Sequence, residues 1–161
     1  MPIQILEDLT KAMEDYPHVY LTLEFVEVDI PGSKINKNDD VQFRIQIKNA
    51  GPLDVNQLSL LVEGLNGTQV KSNGAAAVFG SSFTLNGSFI GNIAAHSADN
   101  APVVTGGNKF HFKPTNVSSS IEDLVRVSVA GWDTTLNHQE TAHTRADPAA
   151  EATFSSVVEP V

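Results

Sequence analysis

The sequence predicts an all-β protein, an antiparallel β-sandwich of about seven to nine strands with one N-terminal helix. Apolar and polar residues alternate over most of the chain, as in VQFRIQIK at residues 41–48, and this period of two is typical of half-buried strands. Turn residues separate the alternating segments, and no helices alternate with them as βαβ units would require. Two packed antiparallel sheets satisfy these observations, with a closed barrel as the alternative.

One segment has a helical period instead. In residues 3–16 the apolar side chains of Ile5, Leu9 and Met13 recur on one face, and Pro17 ends the pattern. Acidic residues early in this segment suit the positive end of a helix dipole. We therefore predict a helix within residues 1–17, which covers one edge of the domain or binds a partner or a second copy.

The remaining residues, 18–161, are predicted to form the sandwich. The first strand changes phase near Phe25 and Val26, which predicts a β-bulge there. Tyr20 alternates with the inward-facing residues, so we expect its side chain on the solvent-exposed face of the sheet. Asn-Gly dipeptides mark the turns between short strands. The predicted strands cover residues 19–30, 41–48, 58–63, 68–71, 78–85, 88–93, 103–104, 109–112, 124–130 and 152–158.

Length and composition limit the possible functions. A chain of 161 residues with 41% hydrophobic and 18% charged residues is long enough for one globular domain, residues 1–161, and is neither disordered nor membrane-inserted by composition. A formal net charge of -9 disfavours binding to nucleic acid or to anionic membranes. The chain has no cysteine, which excludes disulfides and thiolate chemistry. No basic and apolar leader opens it, which predicts a cytoplasmic protein with export left open.

A family resemblance follows from the strand endings. One strand ends in Asn49-Ala50-Gly51, the later segments are FIGNIAAHSADN and NKFHFKP, and a further strand ends as VRVSVAGWD. In these features the chain resembles bacterial immunoglobulin-like modules of the cell-adhesion-related (CARDB-like) type. Asn49, Gly51, Asp133 and Asn137 match the turn positions of that family, and the resemblance covers residues 19–137. It implies an immunoglobulin-like sandwich that adheres, spaces or assembles.

Metal-binding residue types occur in two polar segments. His138 and His143 lie in HQETAH, whose spacing differs from the H-E-x-x-H pattern that places two imidazoles one helical turn apart. Asp39 and Asp40 belong to an oxygen-rich run that lacks the offsets of an EF-hand calcium loop. These four residues are the candidates for metal ligation, and a solvated loop is the alternative interpretation of both segments.

The sequence contains neither G-x-S-x-G nor a Walker loop, so no catalytic residue and no cofactor are predicted. We therefore predict a non-enzymatic structural or protein-interaction module whose partner is another protein or a second copy. Its predicted contact residues are Ile5, Leu9, Met13 and Tyr20. The alternatives are a domain that binds carbohydrate or calcium, and a small metal-dependent enzyme.

Overall fold

The computed structural model describes part of the chain, and the ranges are 21–50, 55–73, 76–85, 93, 103–105, 109–134, 139–141 and 151–160. These residues contain strands and turns but no helix. The predicted helix at residues 1–17 lies outside them. Within the described ranges there is accordingly no helix long and apolar enough to cross a membrane.

Ten strands account for the described structure. They are β1 (Leu21–Asp29), β2 (Val41–Asn49), β3 (Val55–Gly64), β4 (Thr68–Lys71), β5 (Ser82–Leu85), β6 (Val103–Val104), β7 (Phe110–Pro114), β8 (Ser118–Thr134), β9 (Gln139–Thr141) and β10 (Glu151–Val158). Nine of them overlap predicted strands, whereas β9 is not predicted, and the predicted strand at 88–93 lies outside the described residues except for residue 93.

The strands form two antiparallel sheets. Sheet I has the order β1-β2-β7-β4, and β6 also pairs with β2. Sheet II has the order β10-β8-β3-β5, and β9 also pairs with β8. The prediction of an all-β protein with antiparallel sheets is therefore confirmed.

The alternation of β2 explains how sheet I presents one face to the core. Val41, Phe43, Ile45 and Ile47 are all buried, whereas the polar residues between them are more accessible. The register of β1 against β2 is regular as far as Val26 and then shifts. This shift is the bulge that the phase change predicts, slightly further along the strand than expected.

The two sheets bury their apolar faces in one common core. Aromatic rings connect the sheets at both sides of this core. Phe154 of β10 lies 5.8 Å from Phe25 of β1 and 5.3 Å from Phe112 of β7, between ring centroids. Phe83 of β5 similarly lies 5.7 Å from Phe110 of β7. The sheets thus pack face to face in a sandwich-like arrangement, driven by removal of these rings from water.

Two segments differ from the predicted strands. The expected strand at 78–85 divides between the sheets, because Gly80 forms a bridge with Val70 of sheet I whereas β5 pairs with β3 in sheet II. The expected strand at 124–130 is only the central part of β8, which begins at Ser118. Its polar first part pairs with β10, and this long-range pairing overrides the weak local pattern.

Candidate interaction surface

The outward face of sheet I has an unusual share of the positive charge. Of the ten Lys and Arg residues in the chain, Arg44 and Lys48 lie at outward positions of β2, and Lys71 lies at an outward position of β4. Lys113 alternates with buried residues of β7, and Lys109 directly precedes that strand. These five cations contrast with the net charge of -9 of the whole chain.

Two of these cations have carboxylate partners on the neighbouring strand β1. Arg44 Nε lies 3.4 Å from Glu27 Oε2, and Lys109 Nζ lies 2.5 Å from Asp29 Oδ2. Glu27 has a φ of 49° at the bulge, where the register shift redirects the end of β1. The bulge therefore helps to position acids that neutralise the β1 side of this face.

The other side of the face has a basic cluster, which we define as Lys71, Phe79, Lys113 and His111. The Lys71 ammonium lies 4.8 Å from the centroid of the Phe79 ring, and the Lys113 ammonium lies 4.5 Å from it. The His111 ring contacts Phe79 edge-on at 6.3 Å between centroids. Two cations thus share one aromatic ring, within the distance at which the ring quadrupole attracts positive charge.

Strand pairing explains how the basic cluster forms. Lys71 is directly opposite His111 in the register of β4 against β7, so both side chains occupy the same face. The bridge between Gly80 and Val70 holds the backbone beside β4, with hydrogen bonds of 2.9 Å and 2.8 Å. Phe79 precedes Gly80 and is thereby held next to Lys71.

The charges of the cluster are unequally compensated. Asp40 Oδ1 lies 2.7 Å from His111 Nδ1, so the imidazole has a carboxylate partner. Among the described residues, no carboxylate lies within ion-pair distance of Lys71 or Lys113. Val78, beside Phe79 in the chain, is 81% exposed. The cluster itself presents two ammonium groups beside the partly exposed ring of Phe79.

The predicted metal ligands have different surroundings. Asp39 Oδ2 accepts a hydrogen bond of 2.8 Å from the Asn36 amide, which closes a local turn. Asp40 pairs with His111, as described above. No group of three or more His, Cys, Asp or Glu residues capable of holding a metal occurs in the described ranges. His138 and His143 lie outside those ranges.

A second surface feature is a groove of about 410 Å³ where the β1–β2 loop meets β8 and β10. Ile30 and Ile121 line it and are 38% and 73% exposed. Lys34 Nζ and Glu159 Oε1 are 4.0 Å apart at its margin. The described lining contains serine hydroxyls but no aromatic ring. Sugars usually stack on an aromatic ring, so this lining lacks the usual platform for a sugar.

The contact residues predicted from sequence are not those of the basic cluster. Ile5, Leu9, Met13 and Tyr20 all lie outside the described residues, so their role stays a prediction. The cluster was missed because its members are far apart in the chain. The available signal was the placement of lysines at polar positions of two alternating segments, TQVK and FHFK, in an acidic chain.

Comparison with known proteins gives limited similarity. No family model matches the chain, and a search of curated proteins finds no match. Among solved structures, the chain is similar to the crystal structure of Spo0M, a sporulation control protein from Bacillus subtilis, with a TM-score of 0.38 and 11% sequence identity. The similarity covers 87% of this chain and 49% of Spo0M, so the chain spans about half of that structure. The resemblance to CARDB-like modules stays a prediction.

Proposed function

We propose that this protein is a non-enzymatic interaction module with an immunoglobulin-like sandwich, and that its basic cluster binds an acidic, partly apolar segment of a protein partner. The observation that supports the proposal is the pair of lysines, Lys71 and Lys113, over the ring of Phe79 with no described carboxylate beside them. A sheet is a rigid support, so the backbone positions of the two lysines are fixed before binding, and the Phe79 ring attracts both ammonium groups.

The chemistry of the cluster selects its partner. Carboxylates attract the two ammonium groups, and an apolar side chain of the partner covers the partly exposed ring of Phe79. Individual exposed ion pairs contribute only about 0.2–1 kcal/mol, so the apolar contact supplies much of the affinity. Charge complementarity accelerates encounter and excludes basic partners. We therefore expect binding that weakens as salt concentration rises.

A peptide titration tests this proposal. The probe is a synthetic peptide of alternating Glu and Leu residues, and its affinity is measured by isothermal titration calorimetry at low and high salt. The double variant Lys71→Glu, Lys113→Glu is expected to bind the peptide at least about tenfold more weakly. The matched control is Lys37→Glu, Lys48→Glu, which changes the net charge equally at two lysines that make no contact with the Phe79 ring.

The control separates local binding from general attraction. Retained affinity in the control, with loss in the cluster variant, supports the proposal. Equal losses in both double variants indicate attraction by net charge alone and overturn it. The same conclusion follows if the cluster variant binds the peptide as tightly as the parent protein does.

The groove favours a second candidate function, a ligand-binding domain. Its lining combines the apolar side chains of Ile30 and Ile121 with serine hydroxyls, a mixture that ligand sites use. A thermal-shift screen with calcium and simple sugars tests this candidate, because a ligand that binds only the folded state raises the midpoint of unfolding. The metal-dependent alternative rests on His138 and His143, and native mass spectrometry before and after chelator tests it.

A further inference from the structure

We infer that the acidic partner segment binds in an extended conformation, as an antiparallel strand added to the edge of sheet I beside Phe79. The inference rests on the proposed function, because it identifies the kind of protein segment that the basic cluster binds. Three observations lead to it: the pairing of Gly80 with Val70, the direction of the Phe79 backbone, and the position of two ammonium groups over the Phe79 ring.

Residues 79–80 extend sheet I by one strand position beyond β4. The Gly80 amide donates a hydrogen bond of 2.9 Å to the Val70 carbonyl, and the Gly80 carbonyl accepts one of 2.8 Å from the Val70 amide. Both polar groups of Gly80 therefore point towards β4, as in a hydrogen-bonded antiparallel pair. The order at this end of the sheet is thus β7, β4 and then residues 79–80.

The antiparallel pairing directs the backbone of Phe79 the other way. Because Gly80 is opposite Val70, the preceding residue lies opposite Lys71, in a pair that is not hydrogen-bonded. Lys71 pairs on its other side with His111 of β7. The amide and the carbonyl of Phe79 therefore point away from β4, towards the edge of the sheet. Within the described ranges they make no hydrogen bond.

The edge at Phe79 is accessible to a partner. Val78, the residue before Phe79, is 81% exposed, and Phe79 itself is only partly buried. An unpaired amide and carbonyl at an exposed sheet edge are the groups to which an added strand binds. An antiparallel segment satisfies both groups with a single residue of its own, which then lies directly opposite Phe79.

The lysines of the basic cluster are positioned to contact the side chains of such a strand. Lys113 belongs to β7, yet its ammonium group lies 4.5 Å from the centroid of the Phe79 ring, and the Lys71 ammonium lies 4.8 Å from it. The ring thus holds both charges towards the edge of the sheet. Neighbouring strands are about 4.8 Å apart, so outward side chains of an added strand come within reach of both ammonium groups.

Alternation then defines the sequence of the bound segment. The residue opposite Phe79 and the residues two positions before and after it have their side chains on the outward face. An apolar residue at the central position covers the Phe79 ring, and acidic residues at the two outer positions pair with the ammonium groups. The diagonal distance of about 7–8 Å between such positions is within reach of long side chains. We therefore expect the pattern acidic-x-apolar-x-acidic.

Backbone methylation of a peptide tests strand addition with the full chain. The probe is the peptide Thr-Glu-Thr-Leu-Thr-Glu-Thr with both ends blocked, and its affinity is measured by isothermal titration calorimetry in low salt. Methylation of the leucine nitrogen removes the N–H that donates to the Phe79 carbonyl. Affinity is then expected to fall at least about tenfold.

The matched control peptide is methylated on the threonine nitrogen that follows leucine. In an antiparallel strand this N–H points away from the sheet, so its affinity is expected to stay within about threefold of the unmethylated peptide. Equal affinities of the two methylated peptides, or a loss confined to the threonine-methylated peptide, overturn the inference.

Hydrogen exchange followed by NMR spectroscopy is an independent measurement of the same contact. The unmethylated peptide at saturating concentration is expected to slow exchange of the Phe79 amide at least about tenfold, because that amide then donates to the peptide. Unchanged exchange at Phe79 in the complex overturns the inference.

The alternating Glu-Leu peptide distinguishes failure of the inference from failure of the proposed function. If that peptide binds and requires Lys71 and Lys113, but the two methylated peptides bind equally, the proposed function stands and only strand addition is excluded. If neither the Glu-Leu peptide nor the unmethylated probe binds, both proposals are wrong.

Discussion

Thr105 satisfies both backbone polar groups of Ile45 in the interior of sheet I. Its amide donates a hydrogen bond of 3.0 Å to the Ile45 carbonyl, and its hydroxyl accepts one of 3.2 Å from the Ile45 amide. β6 pairs with the residues of β2 that follow Ile45, and β7 pairs with the residues of β2 that precede it. Thr105, which is 1% exposed, therefore continues the hydrogen bonding of β2 between two separate partner strands.

Replacing Thr105 with valine is expected to lower the free energy of unfolding by about 1–3 kcal/mol, because the buried amide of Ile45 loses its acceptor. Thr105→Ser keeps the hydroxyl and is the matched control, with an expected loss of less than about 1 kcal/mol from the missing methyl group. Urea denaturation of both variants measures the difference. Equal stability of the valine variant and the parent would show that another group satisfies Ile45.

Gly64 and Gly80 provide a second matched pair. A Cβ atom on Gly64 would overlap the backbone carbonyl of Thr68 across the β3–β4 turn, whereas one on Gly80 would have nothing within 4 Å. We expect Gly64→Ala to destabilise the protein by more than about 2 kcal/mol, since backbone atoms must move. Gly80→Ala is expected to change stability by less than about 1 kcal/mol. Thermal unfolding by circular dichroism compares them, and a stable Gly64→Ala protein would contradict the turn geometry.

Phe43 lies at the centre of the aromatic core. It is 0% exposed, and its ring centroid is 5.3 Å from Phe25, 5.8 Å from Phe110 and 5.9 Å from Phe112. Truncation to alanine leaves a cavity among these rings and is expected to cost about 3–5 kcal/mol. Val78→Ala is the control, because that exposed side chain should change stability by less than about 0.5 kcal/mol. Denaturant unfolding should give clearly separated midpoints, and similar midpoints would contradict the assigned core.

The sequence predicts the parts of this fold in which local pattern and tertiary position agree. In β2 and β7 the apolar residues alternate without interruption, and Phe43, Phe110 and Phe112 all enter the core as expected. The change of phase in β1 similarly predicts a bulge, because one extra residue shifts every later side chain to the other face. These features depend only on neighbouring residues.

The basic cluster depends on pairing between distant segments. The lysines at polar positions of TQVK and FHFK indicate outward charge, but the sequence does not indicate that the two lysines meet. Phe79 comes close to Lys71 because Gly80 forms a bridge with Val70, in a segment that alternation assigns to a single strand. Lys113 arrives from a different strand, through the pairing of β7 with β4. The register of β8 against β10 is likewise set by partners far along the chain, which explains why the polar start of β8 was missed.

Arg126 connects three strands on the outward face of sheet II. Its Nη2 donates to Glu63 Oε1 at 3.3 Å, and its Nε lies 3.3 Å from Glu151 Oε1. The Arg126 side chain is 39% exposed, so solvent screens both ion pairs. We expect Arg126→Met to lower the free energy of unfolding by at most about 1 kcal/mol in low salt.

Salt provides the decisive comparison for Arg126. At about 1 M salt the screening length falls to about 3 Å, so the difference between Arg126→Met and the parent should become small. Lys48→Met is the matched control, because Lys48 has no ion pair among the described residues and its replacement should show little dependence on salt. Urea unfolding at both salt concentrations measures these effects. A loss above about 2 kcal/mol that persists in high salt would mean that Arg126 acts through packing of its aliphatic stem rather than through its charge.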